Sequence, residues 1–225
     1  MKELATHAYE EMANIGRALG NPTRLKMMNL LMQSERSVDD LAEMIGHSAP
    51  NTSAHLKALQ NAGLITRRRD GRHVYYRLAH RAALNLWLAI RDMGLDESPA
   101  VRQEMAKVPD HTSVVRTLDA DALREGVQSG TLTLLDLRPA EEYRAGHLPS
   151  SRSIPFRELE SRLDELDPNT QIVAYCRGPF CFAAIESIEL LRRHGFDVVR
   201  MYGGIGDWLA QGHSLEGSAD ASIDY

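Results

Sequence analysis

The chain has 225 residues, 43% hydrophobic and 25% charged, a balance ordinary for a globular protein and a length that favours two domains over one. No run of 18 apolar residues occurs, which argues against a membrane-spanning helix, and two cysteines cannot build the disulfide framework of a small secreted fold. The net charge of −5 hides a division: residues 1–108 carry 15 Lys and Arg against 12 Asp and Glu, and the remainder 11 against 19. Two halves with different partners are expected. The opening "MKELATHAYEEMANIG" lacks the basic start and apolar stretch of a signal peptide, which predicts a cytoplasmic protein.

The first half reads as short helices. Leu4, Ala8, Met12, Ile15 and Leu19 recur at helical spacing until Gly20-Asn21-Pro22 ends that helix and starts the next. "PTRLKMMNLLMQ" predicts a second helix with Leu25, Met28 and Met32 inward. A third, "VDDLAEMIG", follows Ser37 as N-cap and closes at Gly46. "SAPNTSAHLKALQNAG" opens on Ser48 and ends at Gly63, with Leu56 and Leu59 inward and Thr52 half-buried. "LITRRRDGRHVYYRL" is then two β-prone runs joined at Asp70-Gly71, a hairpin signal. A last helix, "HRAALNLWLAIRDMG", sets Ala83, Leu84, Trp87, Leu88 and Ile90 on a broad apolar surface, which suggests a partner subunit. Residues 55–81 hold seven basic side chains and one acid, Asp70.

Residues 96–112 read as a linker, partly helical, with two prolines and mixed charge. Beyond it, "LTLLDLR", "QIVAYC" and "FDVVRMY" are short apolar runs of the kind that form buried parallel strands. "DADALREGVQSG", "PAEEYRAG", "FRELESRLDEL" and "FAAIESIELLRRHG" supply helices between them, which predicts an open α/β sheet over residues 113–213. The small, polar tail from 214 to 225 reads as loose.

Both cysteines fall in one six-residue loop, Cys176-Arg177-Gly178-Pro179-Phe180-Cys181, at the end of a predicted strand. Open α/β sheets place ligands there. Backbone N–H groups at the start of the following helix stabilise an anionic sulfur and lower a thiol's pKa below about 8.5.

In the first half, "LGNPTRLKMMNLL", "SVDDLAEMIGHSAPNTSAHLKALQNAGLI" and "RRRDGRHVYYRL" resemble the arsenic-repressor (ArsR-type) family of dimeric winged helix-turn-helix regulators, over roughly residues 10–90. The resemblance implies that residues 1–95 bind a double-stranded DNA operator as a homodimer. It makes Ser48–Asn61 the helix that enters the major groove, with Asn51, Ser53, His55 and Lys57 as contacts. Arg67, Arg68, Arg69, Arg72 and His73 then form a wing near phosphates. Tyr75 and Tyr76 alternate faces, so one of them packs. Where members of the family carry metal-binding cysteines, this chain has Ser37 and Asp39. Asp39 and Asp40 read as partners of a helix dipole, and neither a metal nor a cofactor is expected.

The second half resembles a rhodanese domain over about residues 112–212, carried by "LLDLRPAEEYRAGHLPSSRSIPF", "VAYCRG" and "YGGIGDWLAQG". The resemblance implies that Cys176 carries a persulfide in a loop that includes Arg177 and Gly178, supported by an Asp136–Arg138 ion pair. The loop departs from the family's Cys-x-x-Gly-x-Arg pattern: Gly178 stands third, Cys181 replaces the arginine and Phe182 follows. Fast turnover with thiosulfate is not expected of such a loop, whereas Cys181 suits a resolving thiol. A loop held too wide for a direct disulfide would close through inserted sulfur.

Together the halves read as a regulator, mainly α in its first domain and α/β with a parallel sheet in its second. Its partners are an operator, a second copy, and reactive sulfur species or a sulfur-donor protein. Two alternatives stay open: a weak thiosulfate or persulfide sulfurtransferase with an autoregulatory DNA-binding domain, and a dithiol sensor of oxidants or arsenite.

Overall fold

A computed structural model describes residues 2–107, 114–115 and 119–217, with the side chains of 2–4 and 114–115 left aside. The chain divides into two compact units between Ala89 and Ile90. The part of the expected linker from 108 to 112 and the tail from 218 to 225 lie outside the described residues.

In the first unit, helices α1 (Lys2–Leu19), α2 (Pro22–Gln33), α3 (Val38–Ile45) and α4 (Ala49–Asn61) precede the hairpin β2 (Ile65–Asp70) and β3 (His73–Leu78). A two-residue strand β1 (Arg36–Ser37), which composition does not reveal, pairs with the far side of β3, giving the order β1-β3-β2. The turns follow their chemistry. Asn21 accepts the Arg24 N–H to cap α2, and Pro22 sits in its first turn, where the missing N–H costs nothing. Ser37 and Asp40 form a reciprocal capping box on α3, which Gly46 ends in the left-handed region at φ 70°. Gly71, at φ 58°, lies in the hairpin turn at a position that glycine tolerates best.

Met27, Met28, Leu31, Leu41, Leu56, Leu59 and Leu78 build the core of this unit, all 1% exposed or less. Leu25 is only half-buried, because Met27, Leu30 and Leu31 bring the inward face of α2 around to a wider arc. Thr52 is fully buried rather than half-buried, packed where α4 crosses the core. Of the apolar surface of α5 (Arg81–Glu97), Ala83, Leu84, Trp87 and Leu88 are buried within the single chain and Ile90 is half-buried, so less of it is open than the sequence suggested. Open apolar side chains are found on α1, where Tyr9 is 71% and Met12 54% exposed, and at Met93 of α5, 70% exposed.

The second unit contains five parallel strands in the order β4-β8-β7-β5-β6. They are β4 (Val114–Val115), β5 (Leu132–Asp136), β6 (Arg152–Ser153), β7 (Gln171–Tyr175) and β8 (Val198–Met201). Helices α6 (Pro99–Met105), α7 (Ala120–Gln128), α8 (Ala140–Ala145), α9 (Phe182–Arg193) and α10 (Ile205–Ala210) lie along the chain. The segment "FRELESRLDEL" forms a 3-10 helix, Leu159–Glu165, in place of the expected α-helix. The central strands are apolar on both faces. Leu135, Ile172, Ala174 and Val198 share one core with α9, and Leu134, Val173, Tyr175 and Met201 share another with Trp208 of α10. Burial on both sides explains why these strands read as continuous apolar runs. Residues 214–217 are tied down: Ser214 O accepts the Trp208 indole N–H, and Glu216 exchanges backbone hydrogen bonds with His147.

Candidate functional site

In the first unit the helix pair and hairpin present a polar, basic surface. Along α4, Leu56 and Leu59 face inward, so Asn51, Ser53 and Lys57 are thrown outward and exposed, with His55 half-buried beside them. Asn51 does not stand alone: its amide nitrogen lies 3.1 Å from Nδ1 of His47, a residue sequence reasoning passed over. The His47 and His55 rings are 6.1 Å apart. Burial, and then Arg24 and His47, pull the His55 pKa below its ordinary value.

Along the wing, Arg67, Arg69, Arg72 and His73 are exposed. Arg68 differs. Its guanidinium is ion-paired with Glu35 and Asp70 and lies 5.0 Å over the Tyr75 ring, and those hydrogen bonds raise its pKa. The register explains the split, since Arg67 and Arg69 alternate with Arg68 across the strand. Of the two tyrosines, Tyr76 is buried and packs, while Tyr75 holds Arg68.

In the second unit, Cys176 follows the last residue of β7 directly, and Cys181 is the N-cap of α9. The two are joined by a disulfide across a Cα separation of 6.4 Å. That distance lies inside the usual range for a direct bridge, so the expectation of a loop too wide to close without inserted sulfur does not hold. Gly178, at φ 103°, allows the reversal that brings the ends together, and its carbonyl accepts the Cys181 N–H at 3.2 Å. Cys176 is 5% exposed, Cys181 half-buried, and Phe180 and Phe182 flank Cys181 in the open at 42% and 71%.

Two ion pairs flank the loop. The Arg177 guanidinium donates to both oxygens of Glu142, with Nε 3.0 Å from each, and Glu142 is wholly buried. Arg177 is therefore spent on the scaffold rather than turned over the sulfurs. Asp136 and Arg138 form a second fully buried pair, Nε to Oδ1 at 3.0 Å, and Arg138 Nη2 also donates to Gly146 O at 2.9 Å. They sit beneath Tyr175, whose hydroxyl accepts the Leu148 N–H and meets the Ser151 hydroxyl; burial pushes its pKa up.

The segment Gly203-Gly204 closes over the loop. A Cβ on Gly204 would lie 2.7 Å from the Cys176 carbonyl oxygen, and one on Gly203 would lie 2.8 Å from Asp207 Cγ. Asp207 accepts the Gly204 N–H at 2.9 Å and is clamped by Arg91, a member of the same unit, at 2.7 and 3.1 Å. Burial opposes the Arg91 charge, but hydrogen bonds to Asp207 and Asp92 outweigh it and raise the pKa. Glu142 and Asp207 were visible in the sequence only as members of the "AEEYRAGH" and "GGIGDW" runs. Among the described residues no group of three His, Cys, Asp or Glu side chains is arranged to hold a metal ion. None of their helices is long and apolar enough to cross a membrane.

A basic winged helix followed by an α/β unit with a pair of cysteines at a strand end defines a DNA-binding regulator with an appended α/β domain. Residues 21–67 match the bacterial regulatory protein, arsR family, and residues 119–211 match the rhodanese-like domain. The HTH-type transcriptional regulator Rv0324 of Mycobacterium tuberculosis is 36% identical over 210 residues, which span 93% of this chain and 92% of that one. A solved homodimeric winged helix-turn-helix DNA-binding domain of Mb0332 from Mycobacterium bovis is 32% identical, covering 42% of this chain and 88% of that one, TM-score 0.41. A rhodanese-related protein from Thermoplasma volcanium is 25% identical, covering 46% and 99%, TM-score 0.39. The chain belongs to the ArsR family of transcriptional regulators and carries a C-terminal rhodanese-like domain.

Proposed function

We propose that the protein is a cytoplasmic, homodimeric repressor whose hold on its operator is released by reactive sulfur acting at the Cys176/Cys181 loop. The observation that carries this reading is the disulfide: the two cysteines of the chain lie within bonding distance at the strand end where a rhodanese-like domain handles sulfur. The exposed apolar stripe of α1 supports a second copy as partner. Asn51, Ser53, His55 and Lys57, with Arg67, Arg69, Arg72 and His73, supply base and phosphate contacts. Arg68 lends less, being paired already.

The chemistry balances without an added oxidant. The Cys176 thiolate attacks the sulfane sulfur of a persulfide, RS–SH; the S–S bond breaks, the thiolate RS⁻ leaves, and Cys176 becomes a persulfide. The Cys181 thiolate then attacks Sγ of Cys176 and expels HS⁻. The sulfane sulfur is reduced to sulfide, and the two thiolates are oxidised to the disulfide. A reducing thiol pool reopens the loop. With Cys181 and Phe182 in place of the family's cation and hydroxyl, thiosulfate turnover is slow.

The test compares release of DNA from upstream of the protein's own gene by polysulfide, peroxide and arsenite, for wild type, Cys176→Ser and Cys181→Ser. Release of wild type by polysulfide, with both variants staying bound, is the expected result. Release by peroxide or arsenite alone points to a general dithiol sensor. A fast thiosulfate:thiol turnover with no DNA response points to an enzyme.

A further inference from the structure

Among the described residues, one buried cation on the loop's side of the sheet has a nitrogen without a partner. Arg200 lies on β8, which pairs with β7 so that Val198 opposes Ile172 and Arg200 opposes Ala174. Residues in register share a sheet face. Ile172, Ala174, Val198 and Cys176 all belong to the core beneath α9, whereas Val173, Tyr175 and Met201 belong to the opposite one. Arg200 therefore takes the face of Cys176, one strand across and two residues back, roughly 8 Å between Cα atoms from standard sheet spacings. An arginine side chain spans most of that.

Arg200 is only 6% exposed, and its Nη1 is buried with no hydrogen-bond partner among the described residues. Burial pushes its pKa down, against an opposing pull from Tyr202. A guanidinium without a counter-charge is a costly thing to bury. The other cations around the loop are already matched: Arg177 by Glu142, Arg138 by Asp136, and Arg91 by Asp207 and Asp92. On the elements that cover this face, Glu186 and Glu189 of α9 point to solvent. Arg162, in the 3-10 helix, pairs with Glu158 and Glu165. Among the described residues, Arg200 Nη1 has no partner in the form with the disulfide closed, in which neither sulfur carries a charge.

We propose that Arg200 is the counter-cation of the anionic sulfur on Cys176: it holds the thiolate of the reduced loop and the persulfide anion that follows sulfur loading, and it loses its partner when Cys181 closes the disulfide. Arg200 is thus a positioning and specificity residue for anionic sulfur, standing in for the loop arginine that Cys181 displaced. The proposal rests on the sulfur-handling reading of the loop.

The test is the pH profile of Cys176 alkylation by iodoacetamide in the reduced full-length chain carrying Cys181→Ser, alone and with Arg200→Met or Arg200→Lys. A cation favours the thiolate, so Arg200→Met is expected to raise the midpoint by about one pH unit and slow alkylation about tenfold below it. Arg200→Lys should restore most of the rate. With both cysteines present, Arg200→Met should make the disulfide about tenfold harder to reduce, a shift of about 30 mV to more negative potential. It should also melt no lower than wild type when oxidised, because an unpaired buried charge is gone. Unchanged midpoints for Arg200→Met, or a variant that is destabilised alike in both redox states, would overturn the proposal and assign Arg200 to structure alone. A midpoint near that of a free thiol, about 8.5, in the chain carrying Cys181→Ser alone would instead overturn the sulfur-handling reading on which it rests.

Discussion

The two units spend their charges in opposite ways. In the winged helix, Arg67, Arg69, Arg72 and Lys57 stand exposed, and Arg68, engaged by Glu35 and Asp70, is the exception among the basic side chains of the wing. In the rhodanese-like unit, Asp136–Arg138, Glu142–Arg177 and Arg91–Asp207 are drawn inward and matched partner to partner. A surface that must meet a polyanion needs mobile cations ready to displace counterions. A thiol loop needs a fixed frame, so the charges nearest it are held in pairs, while exposed pairs such as Arg124–Asp121 lie elsewhere on the unit. The difference teaches that charge count says less about function than where each charge finds its partner.

Substitutions can break or sharpen that contrast. The largest effect is expected for Asp136→Asn, which strands the fully buried Arg138: a loss of about 3–5 kcal/mol in urea unfolding of the second unit. Next comes Gly204→Ala, whose methyl group would press on the Cys176 carbonyl. A cost of about 1–3 kcal/mol, with slower closure of the disulfide by thiol titration, is expected from that overpacking. In the other unit, alanine at Arg67, Arg69 or Arg72 should leave the melting temperature almost untouched. For every phosphate that such a substitution leaves unneutralised, the slope of log K against log salt should fall by about 0.9. Arg68→Ala should change that slope less than its neighbours do, because Glu35 and Asp70 already occupy it.

The smallest expected effect concerns pH. The Ser37 hydroxyl, followed by its backbone N–H, holds the Asp40 carboxyl below its ordinary value of 3.8, although partial burial works the other way. A carboxyl with a depressed folded pKa stabilises above its unfolded value and loses that contribution as pH falls through the folded one. The cap is therefore intact at neutral pH and weakens only as pH falls below the ordinary carboxyl range. Ser37→Ala, expected to cost about 0.5–2 kcal/mol at pH 7, should cost less at pH 3 by thermal denaturation.

What the sequence reveals and conceals follows the same division. Local chemistry is legible: the Ser37 cap, the Gly46 stop, the Gly71 turn and the strand ending just before Cys176 all depend on neighbours within a few residues. Pairings across long separations are not. Glu142 and Arg177 are 35 residues apart, and nothing in "CRGPFC" says that its arginine turns toward α8 rather than toward the sulfurs. Arg200 reads as a charge interrupting an apolar strand, and only its register with Ala174 tells which face of the sheet it takes. The short strand β1 is invisible for a related reason: two residues carry no periodicity, and only the edge of β3 recruits them. Similarly, the helical periodicity of α5 shows that a broad face is apolar, but not that the chain covers it itself.

One measurement reaches the central claim most directly: the affinity of the wild-type protein for DNA upstream of its own gene, by fluorescence anisotropy, fully reduced and after polysulfide treatment, with the state of Cys176 and Cys181 read by mass spectrometry in the same samples. Sensing through the loop is expected to weaken binding about a hundredfold on closure, a coupling of about 2.7 kcal/mol. Equal affinities for the reduced and the closed forms would contradict it, and would leave a DNA-binding regulator joined to a sulfur carrier that does not speak to it.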